Sequence, residues 1–96
     1  LASRIPYGQM ITREKLRQVE LAEEYLRKRG FRVFRARHHG KMVRIEVGAD
    51  ELEKALAIRS ELTSELKKIG FTYVTLDLEG YRTGSMNEEL RDKSSK

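Results

Sequence analysis

Twice in this chain a helix-spaced apolar stripe runs into a Gly-Phe pair and then into an alternating, strand-like segment, at 26–36 and again at 66–76. Helical and extended segments bury different patterns, one stripe against one face, so a chain that switches from one to the other twice must build mixed αβ units. The two copies read as αβ units that share one kind of helix stop, not as a solenoid repeat.

The remaining elements follow from local chemistry. Residues 1–11 form an irregular lead carrying Pro6 and Gly8. Thr12 is suited to an N-cap, and Leu16, Val19, Ala22 and Leu26 fall on one side of a helical wheel, which predicts an amphipathic helix over 13–29 stopped by Gly30. Two strands, 32–38 and 42–47, are joined at His39-Gly40-Lys41 as a hairpin. Asp50 with Glu53 fits a capping box opening a second helix over 50–69, whose stripe is Leu52, Ala55, Leu56, Ile58, Leu62, Leu66 and Ile69. Gly70 ends it, and a third strand covers 71–78. The order α-β-β-α-β predicts a two-layer α/β sandwich: a three-stranded mixed sheet with two helices on one face and a right-handed crossover into the last strand.

Size and composition exclude several classes. With 96 residues, 39% of them apolar, the chain is one domain. A domain of this size buries only about 60–65% of its unfolded surface, so a large enclosed active site is not expected. The absence of cysteine excludes disulfides, thiolate metal sites and a cysteine nucleophile within these residues. No apolar run approaches the roughly 20 residues of a membrane span, and Leu1 to Gly8 lack a signal-peptide core, so a cytoplasmic location is expected. A start at Leu1 rather than methionine suggests a piece of a longer chain. Charge is uneven: residues 1–48 hold 12 basic and 5 acidic side chains, a balance of +7, and residues 49–96 hold 8 and 10, a balance of −2. A basic half of this kind points to a local anion site.

Strand alternation locates the charge. If Val43, Ile45 and Val47 share the buried face with Phe34, Ala36, Val74, Leu76 and Leu78, the opposite face carries Arg35, Arg37, Arg44, Glu46, Tyr73, Thr75 and Asp77. Arg35 and Arg37 are two residues apart, and two parallel guanidiniums suit a phosphate or carboxylate. The alternative is a solvated face on which the arginines pair with Glu46 and Asp77. Glu23 falls between Leu16 and Val19 on the wheel, inside the apolar stripe, where a carboxylate is costly unless it reaches a partner. It reads either as an edge residue paired with an arginine or as a site carboxylate facing the sheet's polar groups. Arg59 breaks the second stripe in the same way and suits a snorkelling side chain.

Other motifs are weaker. His38 and His39 point to opposite sides and cannot chelate one ion, so a sheet-edge role for His38 and a turn role for His39 are expected, with no metal site. Gly80 and Gly84 frame Tyr81-Arg82-Thr83, which reads as an ordinary loop or as a phosphate nest. Arg29-Gly30-Phe31-Arg32-Val33-Phe34 superficially echoes an RNA-recognition strand, but Phe31 and Phe34 lie on opposite faces and cannot stack successive bases. A small basic nucleic-acid-binding module stays open as the alternative function, and a structural oligomerisation domain as a third reading.

Longer words of sequence are more specific. Leu1-Ala2-Ser3-Arg4-Ile5-Pro6-Tyr7-Gly8, Arg35-Ala36-Arg37-His38-His39-Gly40, Arg44-Ile45-Glu46-Val47 and Leu76-Asp77-Leu78-Glu79-Gly80-Tyr81-Arg82-Thr83-Gly84-Ser85-Met86-Asn87 occur in this order. Together they closely resemble the C-terminal domain of the LarE family, ATP-dependent sulfur transferases of the PP-loop ATP-pyrophosphatase superfamily. The resemblance runs from Leu1 to about Glu88.

The resemblance implies a domain over 1–88 that binds substrate and phosphate, followed by a disordered polar tail over 89–96. Family members adenylylate a carboxylate of a pyridinium mononucleotide with ATP and magnesium, then deliver sulfur, in nickel-pincer cofactor biosynthesis. The ATP-binding loop belongs to an N-terminal PP-loop domain and the sulfur-donating cysteine lies upstream of Leu1, so no catalytic residue and no cofactor is expected in this chain, which would be inactive alone. Some relatives use an iron–sulfur cluster in place of the cysteine. Ser3, Arg4, Arg35 and Arg37 match residues that bind the substrate or its phosphate, and Glu23 and Glu46 match acidic residues of the same cavity. The expected partners are the N-terminal domain, an anionic mononucleotide and further copies of the protein in a homo-oligomer, with nucleic acid and membrane not expected.

Overall fold

The computed structural model describes residues 12–82. The lead segment with Ser3 and Arg4, the last part of the Gly-Tyr-Arg word and the 89–96 tail lie outside them. The order is helix α1 (Arg13–Lys28), strands β1 (Phe34–His39) and β2 (Met42–Val47), a short 3-10 turn (Ala49–Glu51), helices α2 (Leu52–Ala57) and α3 (Arg59–Ile69), and strand β3 (Tyr73–Leu76). β1 and β2 are antiparallel, β2 and β3 parallel, and the sheet order is β1-β2-β3. This is the expected α/β sandwich with a mixed three-stranded sheet.

α1 starts where its cap dictates. Thr12 is extended and its Oγ1 accepts the Lys15 N–H at 3.1 Å, while Glu14 in the first turn and Arg27 and Lys28 in the last suit the helix dipole. Val19, Ala22 and Leu26 are buried and pack toward β1 and α3. Phe31 and Phe71, the aromatics after the two helix stops, are both buried and plug the helix–sheet junctions into one core with Ala36, Val43, Ile45, Val47, Ala55, Leu62 and Leu66. Gly70 ends α3 at a φ of +126°, a conformation that favours glycine, with the Gln18 amide of α1 packed where a Cβ would stand.

Several boundaries differ from the sequence expectation. The hairpin turn is the two residues Gly40-Lys41, with His39 paired to Met42 inside the sheet. The single helix over 50–69 is broken at Ile58, whose φ and ψ of −108° and 25° leave the helical basin. The break shifts the phase of the stripe, and Leu56, expected inside, is 52% exposed. The Asp50–Glu53 capping box does not form: Gly48 occupies the cap position with no side-chain bond. A longer-range contact wins instead, because Glu51 turns inward and accepts the Arg32 and Val33 N–H groups at 3.0 and 3.5 Å, while Asp50 pairs with Arg32. The third strand ends at Leu76, so Leu78 lies beyond the ladder and is 74% exposed. Among the described residues no helix is long and apolar enough to cross a membrane.

Candidate anion site

The two faces of the sheet separate as alternation demands. Val43, Ile45 and Val47 face the helices, and the opposite face carries Arg35 and Arg37 of β1, Arg44 and Glu46 of β2, and Thr75 and Asp77 on the third strand and just after it. The register sets Arg35 opposite Glu46, Arg37 opposite Arg44 and Arg44 opposite Thr75.

The arginines of this face do pair with Glu46 and Asp77, as one of the two sequence readings has it, but the centre of the face is sealed from solvent. Arg37 is 3% exposed and Glu46 is fully buried. Arg37 Nε donates to Glu46 Oε1 at 3.1 Å, and Arg44 Nη2 lies 3.1 Å from Glu46 Oε2, so one carboxylate bridges two guanidiniums. Arg44 Nε is 3.9 Å from Asp77 Oδ2, and Asp77 also takes Arg82 Nη2 at 3.2 Å. The charges therefore form a ladder across all three strands. A desolvated carboxylate of this kind is tolerated only because both of its oxygens face cations.

Arg35 is held differently. Its Nη1 donates to the Phe34 carbonyl at 2.8 Å, and its guanidinium carbon lies over the Tyr81 ring, 5.0 Å from the centroid. Of the four arginines on this face, Arg35 is the one whose described contacts include no carboxylate. It is also half-buried rather than sealed. Counting Arg35, Arg37, Arg44 and Arg82 against Glu46, Asp77 and Glu79, four cations meet three anions among the described residues. That arrangement leaves positive potential beside Arg35, which suits a phosphate group.

Glu23 meets the sheet at another place. Its Oε2 accepts the Ala36 N–H at 3.0 Å, at the edge of β1 away from β2, which no strand covers among the described residues. The carboxylate in the apolar stripe thus meets a polar group of the sheet, the strand-edge backbone N–H between Arg35 and Arg37. Glu23 also lines a groove of about 460 Å³ along α1 with Arg17, Glu20, Leu21, Glu24 and Arg27. Neither Arg35, Arg37 nor Glu46 borders that groove. The structure therefore groups Arg35, Arg37 and Glu46 and sets Glu23 on the far edge of their strand; Ser3 and Arg4 fall outside the described residues.

His38 corrects the sequence reading. It is 2% exposed and faces the core, with its ring edge against Phe71 at 5.3 Å. Nε2 lies 2.8 Å from Gln18 Oε1, and Gln18 Nε2 donates to the Ile69 carbonyl at 3.4 Å, so Nε2 carries the proton and Nδ1 does not. Burial, with Lys15 nearby, pushes its pKa below the ordinary 6.5. The imidazole is a neutral strut between β1, α1 and the end of α3.

The sequence reading missed the supporting roles of Tyr81, Arg82 and Glu51. Tyr81 and Arg82 stood out only as a glycine-framed loop. The structure shows a turn: Gly80 N–H donates to the Asp77 carbonyl at 3.0 Å, Glu79 N–H to Asp77 Oδ1 at 2.9 Å and Tyr81 N–H to the Val47 carbonyl at 2.7 Å. Asp77 two residues before an amide and Gly80 at φ +84° are the local signals that could have identified it.

No family model matches the chain. Among curated proteins, it is 41% identical over 94% of its length to the pyridinium-3,5-bisthiocarboxylic acid mononucleotide synthase of Lactiplantibacillus plantarum, of which it covers 33%. It is 44% identical, again over 94% of its length, to an uncharacterised protein of Synechocystis, and 31% identical over 86% to one of Methanocaldococcus jannaschii. The chain spans about a third of the length of these relatives.

Proposed function

We propose that this chain, a member of the LarE family, is the substrate-phosphate-binding part of an ATP-dependent sulfur transferase and uses Arg35 to receive the phosphate of an anionic mononucleotide. The observation that carries the reading is the contrast on the outer face: Arg37 and Arg44 are committed to Glu46, whereas Arg35 is fixed by a carbonyl and an aromatic ring. Both of those contacts leave N–H donors of the guanidinium available for bidentate bonds to phosphate oxygens. Arg37 adds a buried positive charge beside it, and Glu46 keeps that charge in place. Ser3 and Arg4 belong to the same reading as further phosphate ligands.

The chemistry itself is assigned to parts of the protein outside these residues. ATP and magnesium, held by the N-terminal domain, would supply the activation of the substrate carboxylate, pyrophosphate leaving as the carboxylate takes the adenylyl group and AMP leaving when sulfur attacks. In this reading the chain positions the substrate by its phosphate, is inactive alone, works in the cytoplasm and assembles with further copies of itself. The nucleic-acid alternative fits less well, because three of the four arginines on this face already face carboxylates, which works against a surface that tracks a phosphate backbone.

Calorimetric titration with nicotinic acid mononucleotide and with inorganic phosphate tests the proposal. Saturable binding to the wild-type chain and a loss of roughly tenfold or more in Arg35→Ala are expected, the worth of a charge-assisted bidentate contact. Equal affinity in both proteins would overturn it.

A further inference from the structure

The turn that follows β3 does more than end the sheet. It brings Tyr81 back under the bonding control of β2, through the 2.7 Å bond from its N–H to the Val47 carbonyl. Gly80 makes that approach possible: a Cβ there would stand 2.8 Å from Val47 O and 3.4 Å from Ala49 N, at a φ of +84°. Arg82, paired with Asp77 at 3.2 Å and Glu79 at 2.9 Å, clamps the same turn from its other end. The ring is thus placed by backbone, and it is placed against a cation rather than in the core. A carboxylate in the same place would orient Arg35 equally well but would neutralise it and occupy its N–H edge. An aromatic face attracts the guanidinium while consuming none of its donors.

We infer that Tyr81 is a positioning residue, whose ring fixes the Arg35 guanidinium so that its N–H edge is preorganised for a phosphomonoester. The inference rests on the reading of Arg35 as the phosphate ligand and adds the residue that holds it ready. It assigns the Gly-Tyr-Arg word a role distinct from a phosphate nest: the backbone of the turn serves the ring, and the ring serves Arg35. Preorganisation of this kind raises affinity by removing the cost of ordering a long side chain on binding.

The test uses inorganic phosphate as the probe and three variants of the full chain: Arg35→Ala, Tyr81→Phe and Tyr81→Leu. Tyr81→Phe keeps the ring and binds phosphate within about twofold of wild type, whereas Tyr81→Leu weakens binding roughly fivefold. In wild type the Arg35 side-chain NMR resonances carry an upfield ring-current shift that Tyr81→Leu abolishes and Tyr81→Phe retains. Wild-type affinity in Tyr81→Leu with weak binding in Arg35→Ala overturns the inference and leaves the anion site standing. Wild-type affinity in Arg35→Ala overturns the anion site and the inference with it. If Tyr81→Leu fails to fold, the wild-type spectrum decides: shifted Arg35 resonances support the stacking, and unshifted ones refute it.

Discussion

On the face that meets the helices, Val43, Ile45 and Val47 are withdrawn from water among apolar neighbours; on the opposite face Arg37 and Glu46 are equally withdrawn, but among charges. The first face gains from every contact it makes, since burial of apolar area is favourable and non-directional. The second balances a large desolvation cost against directed ion pairs, and the balance survives only while each partner is present. The apolar face is a source of stability that tolerates small changes. The charged face is a device that holds guanidiniums at fixed points, and it fails when one member is removed. A binding protein needs the second property where it meets an anion.

The comparison breaks most sharply at Glu46. Glu46→Ala leaves Arg37 and Arg44 facing each other without their shared carboxylate, and a destabilisation of about 3–5 kcal/mol is expected by urea unfolding. A loss below about 1 kcal/mol would mean that water reaches these groups and that the face is not sealed. Ile45→Val, at the neighbouring position on the same strand but the other face, removes one methylene from the core, and about 1 kcal/mol is expected in the same assay. The ratio of the two losses measures the difference between the faces.

A smaller effect comes from His38, the polar residue on the apolar face. Its folded-state pKa lies below 6.5, chiefly through burial, with Lys15 and His39 adding to the shift and Glu14 opposing it. Below about pH 6.5 the unfolded chain takes up a proton that the folded chain resists, so this residue lowers stability as pH falls and ceases to do so below its folded pKa. Its contribution is fully favourable above about pH 6.5. Urea midpoints at pH 7.5 and 5.0 are expected to differ more in wild type than in His38→Gln; an identical pH dependence in both would contradict the neutral, buried imidazole.

What the sequence made legible follows from the range of the interactions involved. Thr12, the α1 stripe and the split of the strands into an apolar and an arginine face are local or periodic, and apart from Leu78, which lies beyond the end of β3, they stand as read. The Asp50–Glu53 box was a sound local pattern that lost to a contact between residues 51 and 32, which no periodicity reports. Glu23 was visible as an anomaly, but the Ala36 N–H that it meets lies on the side of β1 away from β2, and that side is known only once the strand order is known. The Arg35–Tyr81 contact joins residues 46 apart in sequence through a turn built on Gly80, so it too had to await the fold.

The claim on which the rest depends is that phosphate meets this protein at Arg35. Following the arginine Nε–Hε resonances of the wild-type chain during a phosphate titration tests it at single-residue resolution. The account predicts a saturable shift of the Arg35 signal, with the signal of the solvent-facing Arg17 on α1 unmoved at the same concentrations. A titration in which Arg35 stays still, or in which all exposed arginines drift together without saturation, would contradict it.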